Sequence, residues 1–123
     1  MAVTLRREDG TVVCERCELA DTFLSRGKGL LGRGALDPGE GILIKPCSSI
    51  HMFFMRFPID AVFLDRDLRV LKVVSNLKPW RMAAKRGAKA VLEFGAGEAA
   101  RVGLEPGVRL VLAEEQSDEP AER

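Results

Sequence analysis

The chain has 123 residues, 46% of them hydrophobic and 30% charged, and its 19 Lys and Arg against 18 Asp and Glu leave a net charge of +1. That balance excludes wholesale disorder and gives no chain-wide field for a polyanion, and no apolar run reaches the roughly 18 residues of a membrane-crossing helix. The opening MAVTLRREDG carries no apolar leader, so the expectation is a soluble, cytoplasmic, single β-rich domain over 1–113, with an acidic, frayed tail at 114–123.

The elements follow in chain order. Two short apolar-polar stretches, 2–6 and 11–16, flank Asp9-Gly10 and predict a β-hairpin, because Asp-Gly fits the mirror-image turns that hairpins need. Phe23, Leu24, Gly27, Leu30 and Leu31 share a helical face, which predicts a helix over 21–31 with Asp21 as its cap. Asp37-Pro38-Gly39 is a turn, and Ile42-Leu43-Ile44 a strand that ends by Pro46. The runs 50–55 and 60–65 read as buried strands, bounded by Pro58. Asp65-Arg66-Asp67 turns the chain into a strand at 69–75, although Leu68 is a poor turn residue. Residues 79–87 read as a loop with a helical turn, 90–94 as a strand, 97–102 as a short helix stopped by Gly103, and 108–113 as the last strand after a Glu105-Pro106-Gly107 turn. The sum is an α+β fold, a compact β-rich sheet resembling a small barrel, with one or two short helices.

Four side chains have metal-ligand chemistry. Cys14, Cys17, Cys47 and His51 are the only Cys and His residues, and together they have the composition of a Cys3His zinc site. On a straight strand, however, residues 14 and 17 face opposite ways, and 47 and 51 stand about 13 Å apart. Both pairs therefore need a turn, and the competing reading makes each cysteine a small buried hydrophobe. Cys47 with His51 could also form a nucleophile–base dyad, oriented by Asp60 or Asp65, if a helical turn brings them within hydrogen-bond reach. The letters Gly27-x-Gly29-x-x-Gly32 match a dinucleotide fingerprint, but they fall inside a predicted helix rather than at a strand-to-helix turn.

Charge is concentrated in one segment. Residues 66–89 hold Arg66, Arg69, Lys72, Lys78, Arg81, Lys85, Arg86 and Lys89 against Asp67 alone, a local net charge of +7 around the chain's single tryptophan, Trp80. Aromatics between cations suit an anion or nucleic-acid surface; a solvated face with Trp80 capping the core is the plainer reading. Arg56, Asp60 and Glu93 are charges embedded in apolar runs, which predicts a partly buried pair of Arg56 with Asp60 or Glu93. Asp60 could instead serve backbone amides at a strand entry.

The ordered string Arg26-x-x-Gly29-Leu30-Leu31-Gly32-Arg33, then Gly41-Ile42-Leu43, then His51 through Asp65, then Val91-Leu92-Glu93 with Gly95-Ala96-Gly97, resembles the bacterial and archaeal family called domain of unknown function 192. The likeness covers roughly residues 15–112. It implies a compact β-rich domain and supplies no activity. Members of that family carry a Phe-Trp-Met-Lys-Asn-Thr segment before the Pro and Asp; here Phe53-Phe54-Met55-Arg56 runs directly into Phe57-Pro58. The family's Asp-Gly turn is replaced by Asp67-Leu68.

These readings converge on a small accessory domain that binds rather than catalyses. Its surface would include His51, Met55, Arg56, Asp60, Trp80, Arg81 and Glu93, and its ligand would be a small anion, a peptide or a partner protein, with no cofactor and no membrane. The alternatives are a zinc protein through Cys14, Cys17, Cys47 and His51, and a nucleic-acid or anion binder through 66–89.

Overall fold

The structure, a computed structural model, describes residues 2–20, 36–53 and 55–114. The helix expected at 21–31 lies outside the described residues, as does the tail expected at 114–123 except for Glu114, which the structure places in the last strand. The strands are β1 (Ala2–Arg7), β2 (Val12–Ala20), β3 (Glu40–Ile44), β4 (Ser49–His51), β5 (Ile59–Leu64), β6 (Val70–Leu77), β7 (Met82–Ala84), β8 (Ala90–Gly95) and β9 (Leu110–Glu114), with one described helix, α1 (Glu98–Arg101).

Seven strands form one sheet in the order β6-β5-β8-β3-β2-β1-β9, and β4 pairs with β7 in a separate two-stranded sheet. The β1–β2 hairpin turns at Gly10, which adopts φ 94°, as the Asp9-Gly10 pair requires. β2 and β3 run parallel, which needs a crossover connection rather than a tight turn; the remaining pairs of the large sheet are antiparallel. The pairing is that of an open sheet. Its edge strands meet through an isolated Arg69–Arg109 bridge, so the strand order does not establish the barrel expected from sequence.

Two apolar clusters occupy the two faces. The first draws on all seven strands and α1, with Leu5, Leu43, Val62, Leu92, Phe94, Ala99 and Leu110 buried in it. The second holds Ile42, Ile44, Ile59, Phe63 and Val91 of the large sheet against Ile50 of β4, with Ala83 of β7 packed alongside. The small sheet therefore lies over the outer face of the central strands. β5 and β8 are apolar on both faces, which is why their sequences run almost unbroken.

Several expectations need correction. The strand expected at 50–55 stops at His51, because Met52 O accepts from both Met55 N and Trp80 N and turns the chain. The helical turn expected at 79–87 is β7, recruited by pairing with β4 at Ser49–Ala84, Ile50–Ala83 and His51–Met82. Leu68 does occupy its turn, at φ 65°. Asp65 Oδ1 accepts from Asp67 N and Arg69 N, and Leu68 packs against the first cluster, which together offset the left-handed strain.

Candidate functional site

β4 and β7 are short strands with a clear inside and outside. Ile50 and Ala83 face the core, so alternation sends His51 and its partner Met82 outward. His51 Nδ1 accepts from Phe53 N at 3.3 Å, and its ring stacks on Phe53 with centroids 4.6 Å apart. Phe53 in turn stacks on Trp80 at 5.7 Å. Phe53, just beyond β4, is thus in contact with both other rings. Trp80 is 58% exposed and Met82 67% exposed.

Trp80 is held there by its backbone. Lys78-Pro79-Trp80-Arg81 is a turn closed by Arg81 N donating to Lys78 O, and Trp80 stands at φ 70° in the position that ordinarily takes glycine. A bulky side chain in the left-handed region costs on the order of 1–3 kcal/mol, and such strain concentrates where function selects the side chain over the fold. Trp80 N also donates to Met52 O at 2.7 Å, which ties the turn to the end of β4.

The electrostatics are one-sided. Residues 41–59 and 68–92 together contain nine Lys or Arg and no Asp or Glu. Among the described residues the ion pairs are Arg7–Asp9, Arg16–Glu40, Arg101–Glu98 and Arg109–Glu8, and none involves β4 through β7. Arg56, Lys78, Arg81, Lys85, Arg86 and Lys89 are exposed. Lys72 is used internally, its Nζ donating to Ala84 O and linking β6 to β7.

The other sequence candidates lie elsewhere. Asp60 is fully buried: its Oδ1 accepts from Asn76 N at 2.9 Å, and its Oδ2 from Gly97 N at 3.0 Å and Ala99 N at 2.9 Å. It joins β5 to the end of β6 and to the start of α1. Met55 is buried in the second cluster. Glu93 sits in mid-β8 between Ile42 and Ala61, 6% exposed, and burial pushes its carboxyl up to about 7. The expected pairing of Arg56 with Asp60 or Glu93 does not form, since Arg56 is exposed while both carboxylates are buried.

The four metal-ligand candidates are divided between the two faces. Cys14 and Cys17 are buried in the first cluster, while Cys47 packs against the second, with Sγ 3.1 Å from Ser49 O. A register shift between Val3–Cys17 and Leu5–Cys14 turns both β2 cysteines inward, which a straight strand could not do. A hydrogen bond with Cys14, reinforced by burial, pushes the Cys17 thiol far above its ordinary range. Among the described residues no three Cys, His, Asp or Glu side chains are placed to hold one ion. A depression of about 420 Å³ beside β4 is lined by Pro46, Cys47, Ser48, Ser49, Ala88 and Lys89. Among the described residues that line it there is no carboxylate, and His51 is not one of them.

The domain of unknown function 192 family, described as Uncharacterized ACR, matches residues 4–112. The chain belongs to that family. Its relatives include a UPF0127 protein of Thermococcus sibiricus, 35% identical over 102 residues that cover 76% of this chain and 63% of the relative. A UPF0127 protein of Pyrococcus abyssi is 37% identical over 89 residues, covering 67% of this chain and 73% of its own. Among solved structures, a protein of unknown function from Novosphingobium aromaticivorans superposes with a TM-score of 0.77 at 32% identity, covering 90% of this chain and 84% of that one. A Sinorhizobium meliloti protein, provisionally described as a transcription regulator, reaches a TM-score of 0.78 at 27% identity, covering 90% and 92%. The family is one of uncharacterised proteins and brings no assigned activity to the site.

Phe53 and Met82 are the surface residues that the sequence reading passed over. The His51-x-Phe53 spacing carried a period-two signal, but Met82 gains its place only by pairing with β4.

Proposed function

We propose that the chain is a binding module for an anionic partner, with the outer face of the β4–β7 sheet as its recognition surface. His51, Phe53 and Trp80 form the apolar centre, and Arg81, Lys78 and Arg56 supply charge at its margin. Asp60 contributes from beneath, by fixing the β5–α1 junction, and Glu93 lies buried in the central strand. The observation that carries this reading is the exposed Trp80, in contact with Phe53 and set in the left-handed region, within segments that contain no acid. Exposed aromatic surface beside cations that have no ion-pair partner among the described residues suits an anionic ligand.

Trp80 is the only tryptophan, so its emission reports on this face directly. Titration at low salt with inorganic triphosphate, poly-glutamate and a single-stranded oligonucleotide is expected to perturb that emission for at least one of the three, and Arg81→Glu to weaken the effect at least tenfold. Unchanged emission with all three would remove the reading. The zinc alternative lacks comparable support, because its ligands are shared between two faces of the sheet.

A further inference from the structure

We infer that the anionic partner is the surface of an anionic lipid bilayer, met by the outer face of the β4–β7 sheet with Trp80 and Met82 entering between the headgroups. The inference rests on the binding reading above and names the partner. Three observations carry it.

The first is the make-up of the face. Strand alternation turns Ser49 and His51 of β4 and Met82 and Ala84 of β7 outward, with Ile50 and Ala83 toward the core. None of the four outward residues is Lys, Arg, Asp or Glu. Met82 is 67% exposed, and Trp80, two residues before it, has 58% of its surface open beyond its contacts within the chain. They are the two most exposed large apolar side chains among the described residues. An indole favours the headgroup level of a bilayer, and a flexible thioether fits irregular apolar surroundings.

The second is where the charge lies. Lys78 and Arg81 precede β7, Lys85 and Arg86 follow it, and Arg56 lies beyond β4. All five are exposed, with no ion-pair partner among the described residues. β7 is about 10 Å long, close to the Debye length of roughly 8–10 Å, so cations at both of its ends act on one facing surface. In sequence the nearest acids to Trp80 are Asp67 and Glu93, and Glu93 is buried. An apolar centre with a cationic margin matches a bilayer surface, with acyl chains under the centre and phosphates at the margin. A soluble polyanion would engage the margin and leave Met82 in water.

The third is that the face is already built. Trp80 N donates to Met52 O and Met52 N to Arg81 O, which pins the turn against the end of β4. Lys72 Nζ holds the other end of β7 through Ala84 O. Docking therefore needs no ordering of this backbone. The expectation of no membrane partner rested on the lack of a spanning run. No described helix is long and apolar enough to cross a membrane, and contact at the surface needs none.

The test mixes the chain with vesicles of phosphatidylcholine alone, or of phosphatidylcholine and phosphatidylglycerol in equal parts. Co-sedimentation and Trp80 emission are followed. The mixed vesicles should bind the chain and shift its emission to shorter wavelength, and acyl-brominated lipid should quench it. Phosphatidylcholine alone should do neither. Arg81→Gln and Lys85→Gln should each weaken binding about fivefold, and about 1 M salt should release most of the chain. Met82→Ser should weaken vesicle binding about fivefold or more and leave titration with inorganic triphosphate unchanged, since that anion engages the cations alone. Binding of poly-glutamate or an oligonucleotide without binding of the mixed vesicles would overturn the membrane assignment and leave the face as a binder of soluble anions. Vesicle binding that is indifferent to Met82→Ser and to brominated lipid would do the same. Equal binding to phosphatidylcholine alone, or failure of vesicles and soluble anions alike, would overturn both readings.

Discussion

Glu93 shows what one carboxylate does inside a sheet. The unfolded side chain titrates near its ordinary value of 4.5, and burial raises the folded value to about 7. Between those two values the folded chain keeps a proton that the unfolded chain has lost. This group's penalty is therefore absent below about pH 4.5, grows as pH rises, and is complete above about pH 7, at on the order of 3 kcal/mol. Glu93→Gln should raise stability at pH 8 and flatten that slope in urea unfolding; an unchanged slope would count against it. The sequence marked Glu93 as an embedded charge but assigned it a partner in Arg56, because linear proximity cannot reveal that the two occupy different depths. In the sequence Gly41 was one letter of a family string, and its reason is spatial. A Cβ there would stand 2.8 Å from Glu93 O and 3.0 Å from Cys14 Sγ, so only glycine lets β3 lie this close to its neighbours.

Between elements, Asp60 is the organising contact. The β5–β6 register shifts between Ile59–Leu77 and Ala61–Val74, and Asn76 within that irregularity takes φ 55°. A bulge leaves a ladder amide without its strand partner, and Asp60 Oδ1 accepts the Asn76 amide. Its other oxygen receives two amides where α1 begins. Asp60→Ala should cost on the order of 3 kcal/mol or more, since it strands three amides at once. Amide exchange at Asn76 and Ala99 should quicken together, and a loss below about 1 kcal/mol would show that water replaces the carboxylate. The sequence allowed this amide-binding role for Asp60 and also placed it in a ligand surface; its spacing from Gly97 gave no way to choose. Hairpins with their own turn chemistry, β1–β2 and β5–β6, were legible for the opposite reason: their partners are neighbours in sequence. β7 was not, because Met82-Ala83-Ala84 has no strand signature and becomes a strand only beside β4.

At the scale of the molecule, the strand order depends on contacts that no local pattern encodes. β8 enters between β5 and β3, and β9 returns to pair with β1. The two sheet edges are tied by Val70 N to Val108 O, Gly107 N to Val70 O and Leu110 N to Leu68 O, with the Arg69 guanidinium donating to Gly107 O. Hydrogen exchange should find the Val70 and Leu110 amides protected like the central strands; exchange as fast as at the exposed Arg66 would mean that the edges part in solution. The charge partition is equally global: cations without described ion-pair partners surround β4–β7, while the paired arginines lie around β1, β2, α1 and the approach to β9. The basic segment itself was legible as a run of letters. Its aromatic centre was only partly so, since Trp80 stood in that run while Phe53 arrives from another part of the chain. The division of the cysteines has a practical outcome. Cys14 and Cys17 are sealed in the interior, and Cys47, at the approach to β4, alone shows surface. A maleimide dye would thus report from one defined position beside the candidate surface, with the single indole as a natural energy-transfer donor across the same small sheet.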